Sequence, residues 1–148
     1  MSQLISETKK AYFAGFLDGD GSIYVQLKPN PTYKYGYQVA PYIVLFQSQK
    51  GKSNFEKLCS VIGLGYTRER RDGIMEYIIG RNDEIRKFLA MVKPYVLLKT
   101  EQVSLMLQIL DAKEKVENLE DFKVLAKLVD RFRELNYSKK RKTRIVTP

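Results

Sequence analysis

Apolar and polar positions alternate with a period of two over residues 22–28: Ile23, Val25 and Leu27 point one way, Tyr24, Gln26 and Lys28 the other. The alternation returns over 37–47, where Val39, Pro41, Ile43 and Leu45 share a face opposite Gln38, Ala40, Tyr42 and Val44. Pro41 has no N–H to give to a ladder, so an edge or a bulge is predicted there. The polar, aromatic stretch 29–36 reads as the loop of a hairpin. A second hairpin is predicted over 66–71 and 74–79, turning on Asp72-Gly73. Elsewhere the period is helical. Ser6 can cap a helix running to about residue 17. Phe55, Leu58, Cys59 and Ile62 mark one face of a helix over 54–62 that Gly63 and Gly65 end. Asn82 can cap a helix to about 92, stopped by Pro94. Two more helices are predicted near 95–112 and 119–136. Helix, hairpin, helix, hairpin, then helices is an α+β pattern: a four-stranded antiparallel sheet with helices on one face. No linker breaks it, so residues 1–148 are expected to form a single domain.

The first helix is unusual. From Ala11 to Leu17 its only polar group is the Tyr12 hydroxyl. A helix apolar all round has to be covered on more than one side. Ala11, Gly15 and Gly19 recur every four residues, a row with almost no side chain that lets a second backbone come close. The run ends in Asp18-Gly-Asp20-Gly, which places carboxylates at the lip of that contact. Asp and Gly are also ordinary turn formers, so the tetrapeptide reads equally as a turn. A calcium loop is excluded, because its first and last ligand positions would fall on Phe16 and Leu27.

Composition narrows the chemistry. The 148 residues suffice for one real core, and no apolar run is long enough to span a membrane. Residues 1–10 have no apolar stretch of the kind a secretory signal needs, and the lone Cys59 reads as a small buried hydrophobe, so an intracellular protein is expected. With no histidine, serine–histidine triads and zinc–histidine sites are excluded. Carboxylate plus divalent metal, lysine or tyrosine remain. The net charge is +9, yet residues 111–134 carry seven acids and six bases, leaving +10 for the rest. A polyanionic partner on one side is implied. The sheet face away from the helices would show Tyr24, Gln26, Lys28, Gln38, Arg68 and Arg70, residue types that read base edges and phosphates. The tail, about 137–148, has five bases and no acid and suits phosphate clamping.

The segment Phe13-Ala-Gly-Phe-Leu-Asp-Gly-Asp-Gly21 closely resembles the LAGLIDADG motif of homing endonucleases. Ile62-Gly-x-Gly-Tyr66 with Arg68 and Arg70, Pro94-x-x-x-Leu-Lys99 and Ser138-Lys-x-Arg-Lys-Thr143 resemble its single-motif branch, so the likeness runs from about residue 7 to 143. It implies an αββαββα fold that pairs as a homodimer through Ala11, Gly15, Asp18 and Gly19, with a saddle-shaped sheet on duplex DNA. It implies that Asp20 and the Gly19 carbonyl hold Mg2+, with Mn2+ able to substitute, while Gln47 and Lys99 organise solvent and offset phosphate charge. Asp18 is implied to be structural. Lys50 and Lys52 are both candidates for one further basic position. The implied DNA contacts are Tyr24, Gln26, Lys28, Asn30, Tyr33, Gln38, Ala40, Val44, Arg68, Arg70, Glu76, Ser138, Lys139, Lys142 and Thr143. One such acid per chain is too few for metal-assisted hydrolysis, whereas two-fold symmetry duplicates it and matches a near-palindromic duplex. No membrane and no further protein partner is implied, and the protein would act wherever its host intron DNA resides. An intron-RNA maturase and a non-catalytic DNA-binding protein are the other readings of the same scaffold.

Overall fold

The computed structural model describes residues 4–136. Its elements run α1 (Glu7–Asp20), β1 (Gly21–Pro29), β2 (Tyr37–Ser48), a 3-10 turn (Gln49–Gly51), α2 (Lys52–Ser60), β3 (Tyr66–Glu69), β4 (Ile74–Ile79), α3 (Asn82–Val92), α4 (Thr100–Glu114) and α5 (Leu119–Leu135). The strands form one sheet in the order β1-β2-β4-β3. The chain packs as two compact units, Met1–Ile23 with Tyr42–Thr100, and Tyr24–Pro41 with Glu101–Pro148. The α+β, four-stranded architecture is as expected, and no described helix is long and apolar enough to cross a membrane.

In the first unit, β4 pairs antiparallel with β2 on one side and β3 on the other. The register sorts side chains by face. Ile43 with Ile79, Leu45 with Tyr77, and Met75 lie on one face, all nearly inaccessible. Helices supply the rest of that core: Phe13 and Leu17 from α1, Phe55 from α2, and Ile85, Phe88 and Leu89 from α3. Phe13 meets Phe88 edge-on with ring centroids 6.4 Å apart, and the Phe16 ring centroid lies 6.0 Å from that of Phe55. Such aromatic pairs add about 0.5–1.5 kcal/mol to the area they bury. Tyr77 sends its hydroxyl to the Leu64 carbonyl.

Several boundaries depart from the sequence pattern for local reasons. Helix α1 continues through Gly19 to Asp20 instead of ending near residue 17, and β1 begins at once. That passage requires Gly21: a Cβ there would lie 2.7 Å from Leu17 Cδ1 and 2.8 Å from the Leu17 backbone. Asn82 is the first residue of α3, whose cap is Arg81, with no side-chain bond. Helix α4 starts at Thr100, five residues later than expected. Strand β2 is internal to the sheet order, but Pro41 lies beyond the last β2–β4 pair, Ile43 with Ile79, so β4 asks no N–H of it there. The Asp72-Gly73 turn forms as expected, with Gly73 at φ 84° and the Arg70 N–H donating to Ile74 O at 2.8 Å.

The second unit buries Val25, Leu27 and Val39 from the strands, Val103, Leu105, Met106, Ile109 and Leu110 from α4, and Phe122, Leu125, Ala126, Val129 and Phe132 from α5. Asn118 caps α5 by accepting from Asp121 N at 2.8 Å, and Asp121 accepts from Glu117 N at 3.1 Å. The loop between β1 and β2 is tied down. Asn30 Oδ1 accepts from both the N–H and the hydroxyl of Thr32, and Tyr35 stacks on Phe122 with centroids 5.1 Å apart.

Candidate functional site

The end of α1 organises the acidic site. The last four carbonyls of a helix have no partner within it. Here Gly21 N–H returns to Leu17 O, and the Asp18 carbonyl accepts from Lys99 Nζ at 2.9 Å. Helix α1 has no basic residue of its own in the last turn, so Lys99 brings a cation to the negative end of its dipole from 81 residues away. The Asp18 carboxylate completes the clamp. Its Oδ2 accepts from Leu97 N (2.8 Å) and Leu98 N (3.1 Å), and its Oδ1 from Lys99 N (3.0 Å). All three hydrogen bonds that the Asp18 carboxylate accepts thus come from residues 97–99.

Asp20 is different. It is exposed at the last position of the helix and makes no hydrogen bond or ion pair with any described residue. A carboxylate at the negative end of a helix is placed against the dipole, which costs roughly 0.3–1 kcal/mol unless a cation joins it. The residues fit a hard cation in kind: a carboxylate oxygen, and the Gly19 carbonyl in the same last turn. Among the described residues no group of three acidic or thiol side chains gathers.

Gln47 stands exposed near the end of β2, its Oε1 accepting from Ser48 N at 2.9 Å. Ser48 in turn accepts from Lys50 N at 3.2 Å and starts the 3-10 turn. The two candidate lysines separate. Lys52 Nζ is 3.2 Å from Glu69 Oε2 on β3, whereas the Lys50 ammonium meets no described partner. Glu69 was not singled out by the sequence; its strand-end position only gains meaning from the β3–α2 proximity.

One face of α1 is left open. Ala11, Gly15 and Gly19 are all exposed, and a Cβ on either glycine would find nothing within 4 Å. Tyr12 beside them is 58% exposed, and Leu97 and Leu98, held on Asp18, are 83% and 76% exposed. The expectation that this apolar helix is covered on more than one side is therefore not met within the chain: Phe13, Ala14 and Leu17 are buried, and the small-residue row is not.

Charge and exposure on the opposite sheet face can be followed strand by strand. Arg68 lies across from Glu76 with Nη2 3.3 Å from Oε1. The distance is that of an ion pair, but the alignment is not that of a hydrogen bond, so this buried Glu76 oxygen has no hydrogen-bond donor. Arg70 is steered by Asp72 at 2.6 Å. Val44 and Ala40 are 1% and 7% exposed and offer little surface. In the second unit Gln26 is exposed, Tyr24, Lys28 and Gln38 are half-buried, and Tyr33 is exposed at the loop tip. Asn30 has its carbonyl oxygen committed to Thr32. Ser138, Lys139, Lys142 and Thr143 lie outside the described residues.

Burial sets the two shifted acids of the first unit. Removal from water, with a smaller effect of Glu56, pushes the Cys59 thiol up to about 12, and burial likewise raises the Tyr77 phenol. Both are neutral core groups and take no part in the chemistry.

Residues 13–110 match the family model described as LAGLIDADG endonuclease. The chain is 36% identical over 133 residues to DNA endonuclease I-CreI of Chlamydomonas reinhardtii, covering 89% of this chain and 81% of that protein. It is 33% identical over 138 residues to DNA endonuclease I-CvuI of Chlorella vulgaris, covering 91% and 84%. Its fold matches that of the homing endonuclease I-CvuI solved with its target in the presence of calcium, with a TM-score of 0.86, 30% identity, and 93% and 87% of the two chains covered.

Proposed function

This chain belongs to the LAGLIDADG endonuclease family, and we propose that it is a homing endonuclease, a homodimer that hydrolyses both strands of a long, near-palindromic DNA duplex with divalent metal. The observation that carries this reading is the contrast at the end of α1: Asp18 is consumed by Leu97, Leu98 and Lys99, while Asp20 is left exposed and without a partner among the described residues. An enzyme needs the second acid free; a merely structural motif does not. Both curated relatives are named DNA endonucleases, and I-CvuI has been solved on DNA with calcium and with magnesium.

Association through α1 completes the site. The open row of Ala11, Gly15 and Gly19 admits a second copy, which would also cover Tyr12, Leu97 and Leu98 and bring two Asp20 carboxylates together. Mg2+, with Mn2+ able to replace it, would be held by Asp20 and the Gly19 carbonyl. When bound it supplies activation of water and neutralisation of phosphate charge. The chain's own residues do the rest. Lys99 is locked beside that position with two of its three N–H donors still available, and offsets charge that grows on the reacting phosphate. Gln47 has its oxygen fixed by Ser48 and its amide N–H groups free to orient water. Lys50, with no described partner, is the better placed of the two neighbouring lysines to act on phosphate, since Lys52 is paired to Glu69.

Gln26, Gln38, Arg68 and Arg70, with Tyr24, Lys28, Tyr33 and Glu76, would read the major groove, and Ser138, Lys139, Lys142 and Thr143 would hold the backbone. The protein would work as one functional domain wherever the DNA of its host intron resides. Selection of cleaved sites from a random duplex library with magnesium tests the reading. Recovery of one near-palindromic sequence is expected; binding without any magnesium-dependent cut would favour the non-catalytic DNA-binding reading.

A further inference from the structure

A cavity of about 230 Å3 opens in the second unit between the β1–β2 loop and helices α4 and α5. Its walls are aromatic, Tyr33, Tyr35, Tyr37 and Phe122, and Lys113 from the last turn of α4 reaches into it. We propose that this cavity is a phosphate-binding subsite, in which the Lys113 ammonium takes a backbone phosphate of the DNA target.

Three observations point to an anion. First, Lys113 is half-buried and has no hydrogen-bond or ion-pair partner among the described residues. An amine withdrawn from water without a counter-ion is costly unless an anion joins it. Its environment bears this out, for burial alone lowers its proton affinity below the ordinary lysine value. Second, the polar residues of the wall are three tyrosines, Gln38 and two lysines, and among the described residues no carboxylate lines it. Third, the cavity is poorly suited to stacking a base on Tyr35. One face of that ring is covered by Phe122 at 5.1 Å, and the Lys34 ammonium lies over the ring at 5.5 Å. The loop is also fixed in place by Asn30 and Thr32, so the wall is preformed. Gln38 and Tyr33, which line the cavity, belong to the surface proposed above to face the duplex, so a phosphate flanking the bases they read lies within reach.

The inference rests on the DNA-binding reading, and one set of titrations separates the two. Binding of the selected duplex, in calcium to prevent cutting, is measured against salt for the wild type, Lys113→Met, Lys113→Gln and Lys113→Arg. Each phosphate contact contributes about −0.9 to the slope of log affinity against log salt. The two neutral variants are therefore expected to flatten it by about two per dimer and to weaken every single-base variant of the target alike. Lys113→Arg keeps the slope. A duplex carrying a neutral methylphosphonate at the contacted phosphate should weaken the wild type and leave Lys113→Met unaffected. An unchanged slope in both neutral variants overturns the subsite, and so does a flattened slope confined to particular base substitutions. Failure of the wild type to bind any duplex removes the DNA reading itself. A melting temperature for Lys113→Met no lower than wild type is expected, since the variant relieves an unpaired buried charge.

Discussion

The two aspartates of the motif should respond oppositely to removal. In Asp18→Ala three N–H groups lose a charged acceptor at 2.8, 3.1 and 3.0 Å. Hydrogen bonds to charged groups contribute about 1.5–3 kcal/mol each when shielded. Two of the three are exposed, so water replaces much of their loss and roughly 0.5–1 kcal/mol each is reasonable; the part-buried bond to Lys99 N keeps about 1.5. The sum is about 3 kcal/mol. For a domain of this size that lowers the melting temperature by about 6–12 °C. Asp18→Asn keeps one acceptor oxygen and should lose about half as much. Asp20→Asn breaks no bond to a described residue and removes an anion from the negative end of α1. It should be neutral, or more stable by about 0.3–1 kcal/mol. Thermal unfolding at one protein concentration, without metal or DNA, reads all three. A melting temperature for Asp18→Ala within about 2 °C of wild type would refute the clamp. A matching drop in Asp20→Asn would show that the two acids are not divided between structure and chemistry.

Other consequences are separable from that one. A Cβ on the exposed Gly15 meets nothing within 4 Å among the described residues, so in Gly15→Leu the fold should persist while sedimentation shifts from dimer to monomer; Gly21→Ala, whose Cβ would strike the Leu17 backbone, should instead unfold the protein at lower temperature. An unchanged dimer in Gly15→Leu would rule out the proposed contact. Arg68→Ala should cost on the order of 1–3 kcal/mol at one base pair and relax preference there only, as read by profiling single-base variants of the target; uniform loss would make Arg68 a phosphate contact. Cys59 has an ordinary value of 9.0 and is pushed up to about 12, so the folded state holds a proton that the unfolded chain releases first. Its stabilising share is full below about pH 9 and is lost as pH rises toward 12, with Tyr77 adding to the same trend. Urea unfolding between pH 8 and 11 should show Cys59→Ala losing stability less steeply than wild type.

The first strand was legible because its burial follows the period of two, with Ile23, Val25 and Leu27 buried between more exposed neighbours; in β2 the expected Ile43 and Leu45 are buried, but so is Val44 between them. Of the two caps expected from local sequence, Ser6 forms, its hydroxyl accepting from Lys9 N at 3.2 Å, whereas Asn82 lies inside α3 and Arg81 takes the cap position. What escaped depends on partners far away in the chain. Asp-Gly-Asp-Gly looks like a turn by local propensity, yet the helix runs on to Asp20 because Lys99 serves the Asp18 carbonyl. The same clamp uses the backbone of residues 97–99, which is why α4 begins at Thr100 and not near residue 95. The pairing of Lys52 with Glu69, which separates it from Lys50, likewise spans 17 residues and leaves no local signature. Alternation sets Ala40 and Val44 opposite Val39, Ile43 and Leu45, but it does not reveal that both are almost inaccessible, at 7% and 1% exposure.

The central claim is that the Asp20 carboxylate is required for cleavage but not for specific binding. It is tested most directly by comparing wild type and Asp20→Asn on the selected duplex, measuring binding and magnesium-dependent double-strand cleavage in the same preparations. The expected result is that cleavage vanishes in Asp20→Asn while specific binding survives, or tightens without metal because a carboxylate near phosphate has gone. Continued cutting of both strands by a clean Asp20→Asn preparation would contradict the account.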